Sequence, residues 1–242
     1  MPKNSSLITL SKKIKGATVI EGFPGVGLVA TIATGFLSEH LKCEKIGKYF
    51  FSDPPATVAI HGSHIVDPVT VYYSKKHNIV IVHSIINTAS MEFRAADLVL
   101  DVCKQVQAKE LIALEGVGAT DQEDSQAFHY CTHEKCQKTM KKIGINGLNE
   151  GIIVGTTGAL LLKASDAKAP LTAIFVGTHL NMPDSKAAAK AIEVLDKYLG
   201  LSVPYAPLLR QAEKFESKLH GMMEQAMLTK QLKEQKDTNY VG

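Results

Sequence analysis

The chain has 242 residues, 45% of them hydrophobic and 21% charged, with a formal net charge of +3 at pH 7. A chain of this length and composition can bury one large hydrophobic core. Its 27 basic residues include only Arg94 and Arg210 as arginines, and tryptophan is absent. Recognition of phosphates and base edges relies heavily on arginine, so these features argue against a nucleic-acid-binding protein.

No run of about 18 uninterrupted apolar residues occurs, and the first ten residues lack the apolar region of a signal peptide. We therefore expect a cytoplasmic protein that does not bind or cross a membrane. Four cysteines are too few and too scattered for a disulfide scaffold in a chain of this size. They are Cys43, Cys103, Cys131 and Cys136.

The first predicted strand, residues 17–20, runs directly into a turn rich in glycine and proline, and a helix-like pattern follows over residues 28–41. The turn contains Gly22, Pro24, Gly25 and Gly27. Such a turn can direct the N–H groups of a helix N-terminus at an anion, or it can serve only to pack the helix closely on the sheet. The spacing fits neither the dinucleotide-binding fingerprint nor the P-loop, and Glu21 would repel a phosphate. Close packing is the preferred interpretation, with an anion site as the alternative.

The next part of the chain has the pattern of a β-meander inserted in a parallel sheet. Strands are predicted at residues 46–51, 58–60, 69–73 and 79–83. An amphipathic helix over 92–106, a buried strand at 111–114, a strand at 127–131 and a helix over 134–143 follow.

Four potential zinc ligands lie close together at the end of the 127–131 strand: His129, Cys131, His133 and Cys136. Zinc accepts these ligand types, and alternation along a strand places the first three on one side. The spacing, however, contains no C-x-x-C knuckle. A strand end with a buried cysteine is the preferred interpretation, and a zinc site is the alternative.

A second glycine-rich turn consists of Gly155, Thr156, Thr157 and Gly158. It could hold an oxyanion, but threonines at a helix start are ordinary caps, so capping is preferred. Residues 172–176 are predicted to be the last strand, and Asp184 is expected to cap a helix that ends at Leu199. Alternating strands and helices predict an α/β fold, a three-layer sandwich around a mostly parallel sheet, formed by residues 1–203 as one domain.

The segment 204–236 differs from the rest of the chain, because after Pro204 and Pro207 only Gly221 interrupts a helical pattern. An apolar stripe with alternating four- and three-residue steps runs along it: Leu208, Ala212, Phe215, Leu219, Met222 and Ala226. We expect a long C-terminal helix that packs partly on another subunit; the alternative is a helix folded back on its own sheet. Residues 237–242 are predicted to be a flexible tail.

The residues assemble no catalytic constellation, so we expect neither an enzyme nor a cofactor or metal. His61, His64, His83 and His179 cannot be combined into a triad from the sequence, and no G-x-S-x-G motif is present.

Several stretches, in this order, resemble the PAC2 family of proteasome assembly chaperones and their archaeal homologues. They are residues 21–27 (EGFPGVG), 53–55 (DPP), 114–116 (LEG), 150–155 (EGIIVG) with Gly158 and 160–162 (LLL), and 183–184 (PD) before 186–188 (KAA). The resemblance implies a core similar to nucleoside phosphorylases. It also implies a function in ATP-independent proteasome assembly, as a homo-oligomer (a tetramer or a pentamer) that binds proteasome α subunits or the assembled proteasome.

The resemblance further implies a C-terminal tail that docks between α subunits through a hydrophobic residue and a penultimate tyrosine. This chain departs from that pattern, because it ends Tyr240, Val241, Gly242 and the tyrosine is third from last. These three residues are the candidate partner-binding residues. The alternative function is a nucleoside-phosphorylase-like enzyme, or another protein that binds a small molecule, with the two glycine-rich turns as its anion sites.

Overall fold

The computed structural model describes residues 7–52, 58–61, 63–118, 126–178, 183–203 and 210. The strands are β1 (Thr18–Gly22), β2 (Glu44–Tyr49), β3 (Ala59–His61), β4 (His64–Val66), β5 (Val69–Ser74), β6 (Ile79–Ser84), β7 (Glu110–Gly118), β8 (Ala127–Cys131), β9 (Asn146–Gly147) and β10 (Leu171–Thr178). The helices are α1 (Val29–His40), α2 (Glu92–Gln105), α3 (Glu134–Lys142), α4 (Gly155–Ala167) and α5 (Ser185–Leu199), and a short 3-10 helix, Val26–Leu28, precedes α1.

Eight strands form one mixed sheet in the order β2-β5-β6-β1-β7-β10-β8-β9. Its four central strands, β6, β1, β7 and β10, are mutually parallel. On one side β5 and β2 continue the sheet in antiparallel pairs, which confirms the predicted meander. The hairpin β3–β4 departs from it, because among the described residues these two short strands form a separate two-stranded sheet.

Hydrophobic residues fill both faces of the sheet, because neighbouring strand residues point in opposite directions. Ile20 packs on the face that carries α1, α3 and α5, whereas Val19 packs on the face that carries α2 and α4. The central strands are therefore buried on both sides and consist of continuous apolar runs, as expected for parallel strands. The predicted α/β three-layer sandwich is confirmed.

The helix α5 begins and ends as the sequence predicts. The side chain of Asp184 accepts a hydrogen bond of 2.9 Å from the backbone N–H of Ala187, so it satisfies one of the free donors of the first turn of α5. After Leu199, Gly200 adopts a left-handed conformation with φ of 67°, which ends the helix in the manner typical of glycine.

The two cysteines at the zinc motif are joined to each other. Cys131 ends β8, Cys136 lies in the first turn of α3, and their sulfur atoms form a disulfide. The expectation of a buried cysteine at a strand end is confirmed for Cys131, but the pairing was not predicted. The sulfurs are thus engaged, and the described residues contain no group of three or more His, Cys, Asp or Glu side chains that could hold a metal ion.

Within the described residues, no helix is long and apolar enough to cross a membrane. The predicted C-terminal helix and tail lie outside the described residues except for Arg210. The apolar stripe from Leu208 to Ala226 and the tail residues Tyr240, Val241 and Gly242 are among those not described. The division at residue 203 stays a prediction.

Candidate functional site

A buried polar cluster lies where the parallel strands β6, β1, β7 and β10 end. Open α/β sheets bind their ligands at the carboxyl ends of such strands, so this is the first place to look for a site. We call the group Glu21, His83, Ser84, Glu115 and Thr178 the strand-end cluster; all five are buried. The strand register brings β1 and β6 together here, with Gly22 opposite His83.

Glu21 is the most deeply buried acid of this cluster, with 1% of its surface exposed. Its Oε1 accepts a hydrogen bond of 2.7 Å from the backbone N–H of Phe23, and its Oε2 has no hydrogen-bond partner among the described residues. Desolvation by burial raises the pKa of Glu21 to about 8; the Phe23 hydrogen bond opposes this, and the nearby Glu115 adds to it. Glu21 is therefore largely protonated at neutral pH.

Glu115, in the second half of β7, connects three parts of the chain. Its Oε1 accepts hydrogen bonds from the backbone N–H groups of Val26, at 3.2 Å, and Gly116, at 3.1 Å. A further hydrogen bond links it to the side chain of Thr157 in α4. Burial raises the pKa of Glu115 to about 7, although these three hydrogen bonds favour the charged form. The first turn was a candidate anion site in the sequence. In the structure one of its N–H groups, that of Val26, is bound by the protein's own Glu115 carboxyl group.

The first turn needs glycines because neighbouring side chains lie too close to its backbone to leave room for a Cβ atom. A Cβ atom on Gly25 would collide with the Glu115 carboxyl group, and one on Gly22 would collide with the side chain of Thr34. Gly27 adopts a φ of 64°, which other residues rarely adopt, and lies against Thr178. These contacts support the close-packing interpretation of Gly22, Gly25 and Gly27; the anion alternative stays a prediction.

The second turn, at the start of α4, contacts the same cluster. Thr156 hydrogen-bonds through its hydroxyl group to that of Thr88, with 2.9 Å between the oxygens, and Thr157 contacts Glu115. The expectation that these threonines cap the helix is wrong, because Val154 occupies the cap position and no side chain caps α4. Both hydroxyl groups instead bond across to other elements. A Cβ atom on Gly158 would lie 2.7 Å from the carbonyl oxygen of Ile153, so this glycine allows a close approach.

The histidine of the cluster is neutral and held by α1. The Nδ1 atom of His83 lies 2.9 Å from the hydroxyl oxygen of Thr34, and burial lowers the pKa of His83 to about 4. On the same helix, Thr31 donates a hydrogen bond of 3.1 Å to the carbonyl oxygen of Ser84. Among the other histidines named from the sequence, His64 is exposed on the β3–β4 hairpin, while His179 lies outside the described residues.

The arrangement ties α1, α4 and the ends of β1, β6 and β7 together through buried polar groups. Sequence reasoning assigned no role to Glu115 and treated Glu21 only as a charge that would repel phosphate. One sequence signal could have pointed to this pair: each of the two glutamates follows an apolar predicted strand and is itself followed by glycine. Chemically, the pair can take up and release protons near neutral pH, and its hydrogen bonds fix the first turn in place.

The comparisons with known proteins agree with this fold. Residues 19–223 match the model of the PAC2 family. The structure of PbaA from Pyrococcus furiosus, described as an archaeal homolog of proteasome-assembly chaperone, is 32% identical in sequence and has a TM-score of 0.79; the match covers 91% of this chain and 99% of PbaA. The chain belongs to the PAC2 family.

Two more distant relatives extend the likeness. PbaB from Pyrococcus furiosus, described as an archaeal proteasome activator, is 22% identical with a TM-score of 0.73; the match covers 89% of this chain and 98% of PbaB. At that identity the likeness shows the fold alone. The uncharacterized protein MJ0106 of Methanocaldococcus jannaschii is 28% identical over 218 residues, which are 89% of this chain and 90% of the relative. The resemblance inferred from the sequence is confirmed.

Proposed function

We propose that this protein is an ATP-independent assembly chaperone or binding partner of the archaeal 20S proteasome, and that it acts as a homo-oligomer through protein–protein contacts. The observation that carries the proposal is the membership in the PAC2 family together with the likeness to PbaA over almost the whole of both chains. The partners are proteasome α subunits or the assembled proteasome.

The geometry of the strand-end cluster supports a protein that acts through its surface. In enzymes of α/β fold the carboxyl ends of the strands open into a ligand crevice. Here Glu21 and Glu115 are almost completely buried, and an N–H of the first turn is already bonded to Glu115. Most polar groups of the cluster are thus bonded within the fold, which supports a function through contacts on the exterior.

The contacts with the proteasome are assigned to the tail residues Tyr240, Val241 and Gly242. An aromatic residue near a chain end can bury a large area while few rotatable bonds are ordered, so Tyr240 is a suitable anchor.

Deletion of residues 237–242 tests this assignment. The truncated chain should bind α subunits at least tenfold more weakly while its oligomer stays intact, measured by size-exclusion chromatography and biolayer interferometry. Tyr240→Ala should reproduce most of the loss, and Asn239→Ala is the matched control with little effect. Unchanged binding by the truncated chain would rule out the tail as the docking element, whereas binding through the folded surface would remain.

One observation favours a second candidate, a nucleoside-phosphorylase-like enzyme or another small-molecule-binding protein. The Oε2 atom of Glu21 is buried and has no partner among the described residues, at the edge of the sheet where α/β enzymes bind ligands. Phosphate-dependent release of a base from a nucleoside would support this candidate. A blank result across a panel of nucleosides, together with unchanged thermal stability in the presence of phosphate, would remove it.

A further inference from the structure

The disulfide between Cys131 and Cys136 lies among polar side chains at the end of the parallel strands opposite to the strand-end cluster. The hydroxyl oxygen of Thr172, which is completely buried in β10, lies 2.9 Å from the sulfur of Cys136. The same hydroxyl group is within hydrogen-bond distance of Oε1 of Glu110, at the start of β7, and this oxygen accepts a hydrogen bond of 2.7 Å from the hydroxyl group of Tyr198. We call Cys131, Cys136, Glu110 and Thr172 the disulfide site.

The two sulfur atoms have different surroundings. Cys131, the last residue of β8, is 6% exposed, whereas Cys136 is completely buried in the first turn of α3. Among the described residues no side chain caps α3, so the N–H groups of its first turn favour a negative charge at this helix end. Cys131 is thus the sulfur that an external thiol reaches more readily, and Cys136 is the sulfur that the fold stabilises as a thiolate.

Thr172 is placed to respond to a charge on Cys136. A hydroxyl group has one proton and bonds to one acceptor at a time, and a sulfur in a disulfide is a weak acceptor. The proton is therefore directed to Glu110 in the disulfide form, and it turns to Cys136 when that sulfur becomes a thiolate. Glu110 then keeps its hydrogen bond from Tyr198, and Nε2 of His133 lies 3.9 Å from the same oxygen. The negative charge of Glu110 makes the thiolate transient, so it takes up a proton to become a thiol.

The helix α3 has little buried surface apart from the cross-linked residue. Of its nine residues only Cys136 and Met140 are buried. The side-chain amide of Gln137 adds a hydrogen bond of 3.4 Å to the carbonyl oxygen of Cys131. Cleavage of the disulfide therefore weakens the attachment of α3 to the end of β8.

We propose that the Cys131–Cys136 pair is a thiol–disulfide exchange site for thiol reductants, and that its redox state determines how firmly α3 is held to β8. The proposal assigns a modification site that is separate from the proteasome contacts. In the cytoplasm, the location expected from the sequence, disulfides are ordinarily transient rather than structural.

The exchange proceeds in two displacements. An external thiol loses its proton to solvent, and its thiolate forms a bond to the sulfur of Cys131; the Cys131–Cys136 bond breaks, and its electron pair stays on Cys136, which then takes up a proton. A second external thiolate attacks the first external sulfur and displaces Cys131, which is protonated in turn. The products are two protein thiols and the disulfide of the reductant, so two electrons pass from the reductant to the protein.

The redox equilibrium of the folded protein tests the proposal. Cys43→Ser and Cys103→Ser are introduced together, so that only the Cys131–Cys136 pair is counted. The full-length protein is equilibrated with reduced and oxidised glutathione at a series of ratios, and its thiols are trapped with N-ethylmaleimide and counted by mass spectrometry. We expect a reversible change from disulfide to dithiol within this series, with unchanged circular dichroism. A disulfide that persists in excess reduced glutathione, or a dithiol that persists in excess oxidised glutathione, would overturn the proposal.

Variants at the buried hydroxyl group test how the site works. Thr172→Val removes the hydroxyl group and should slow reduction by glutathione about tenfold, because the leaving thiolate loses its hydrogen bond. Thr172→Ser keeps the hydroxyl group and should restore the rate to within about threefold. Thr139→Val is the matched control on α3, where the hydroxyl group bonds to the carbonyl oxygen of Lys135, and should leave the rate unchanged. Equal rates in the two valine variants would contradict the role given to Thr172.

Hydrogen exchange measures the effect on α3. The oxidised and reduced forms of the same protein are compared by mass spectrometry. Peptides that cover residues 131–143 should exchange at least tenfold faster in the reduced form, while peptides of β1 and α1 should not change. Identical exchange of residues 131–143 in the two forms would overturn the coupling between the redox state and the attachment of α3.

Discussion

The burial of Glu21 and Glu115 predicts that the protein loses stability as the pH rises through neutrality. Both carboxyl groups have raised pKa values in the folded protein, about 8 and about 7, against an ordinary value of 4.5. Between pH 4.5 and these values the folded state binds more protons than the unfolded state, so the free energy of unfolding decreases with pH. This contribution to stability is complete below pH 4.5 and is lost as the pH passes through the folded-state pKa values.

The window from pH 6.5 to 8 isolates this effect. Histidines with lowered pKa values, His83 most strongly (from 6.5 to about 4), change stability in the opposite sense, and most of that change falls below about pH 6.5. Desolvation raises the pKa values of the half-buried thiols of Cys43 and Cys103, and these groups affect stability only above about pH 9. Integration of the proton difference gives a summed loss of about 2 kcal/mol, with the larger share from Glu21.

The assay is thermal and urea unfolding at several pH values from 6.5 to 8. The summed loss of about 2 kcal/mol corresponds to a fall in Tm of roughly 4–8 °C for a chain of this size. Glu21→Gln should remove about two thirds of this pH dependence, and Glu21→Gln combined with Glu115→Gln should remove most of it. Glu44→Gln, at an exposed ion pair with Lys12, is the matched control and should leave the dependence unchanged. A stability that is constant from pH 6.5 to 8 in the unaltered protein would refute the reasoning.

Two further predictions concern packing and the disulfide. Gly25→Ala should reduce the free energy of unfolding by about 1–3 kcal/mol, because its methyl group would overlap the Glu115 carboxyl group. Gly147→Ala is the matched control: its Cβ atom would meet nothing closer than 4.0 Å, so it should change the free energy of unfolding by less than about 0.5 kcal/mol. Equal effects of the two variants in urea unfolding would contradict the explanation. Cys136→Ser should reduce stability by about 2 kcal/mol under oxidising conditions, since the disulfide closes a short loop. A reductant should remove most of the difference between Cys136→Ser and the unaltered protein. Cys43→Ser retains the disulfide, so its difference from the unaltered protein should be the same with and without the reductant.

The sequence predicted the sheet well because its central strands are apolar on both sides. The strand predicted at residues 127–131 and the helix after Asp184 have the observed bounds. Both depend on local signals, the residue types at the strand boundaries and a helix cap. The ends of β7 and β10 extend further than predicted, since their pairing with each other continues to Gly118 and Thr178. Such pairing is a property of the sheet and cannot be inferred from one strand.

The candidate site was only partly predictable. The first turn was identified because glycines and a proline follow an apolar strand, but its contact with Glu115 joins residues 89 positions apart in the sequence. The roles of Thr156 and Thr157 were assigned wrongly, since a threonine in the first turn of a helix can either cap it or bond to a neighbouring element, and only the packing decides. The disulfide was missed for a related reason: cysteines separated by five positions can pair only when a strand end and a helix start place their Cβ atoms close together.

The central claim, that this member of the PAC2 family acts on the proteasome, is tested most directly by co-purification. The full-length chain is mixed with archaeal proteasome α and β subunits at concentrations of tens of micromolar and analysed by size-exclusion chromatography and native mass spectrometry. A complex with α subunits, assembly intermediates or the assembled proteasome, formed without ATP, is the predicted result, and its mass gives the number of copies. Separate elution of a correctly folded chain from all proteasome species would contradict the account.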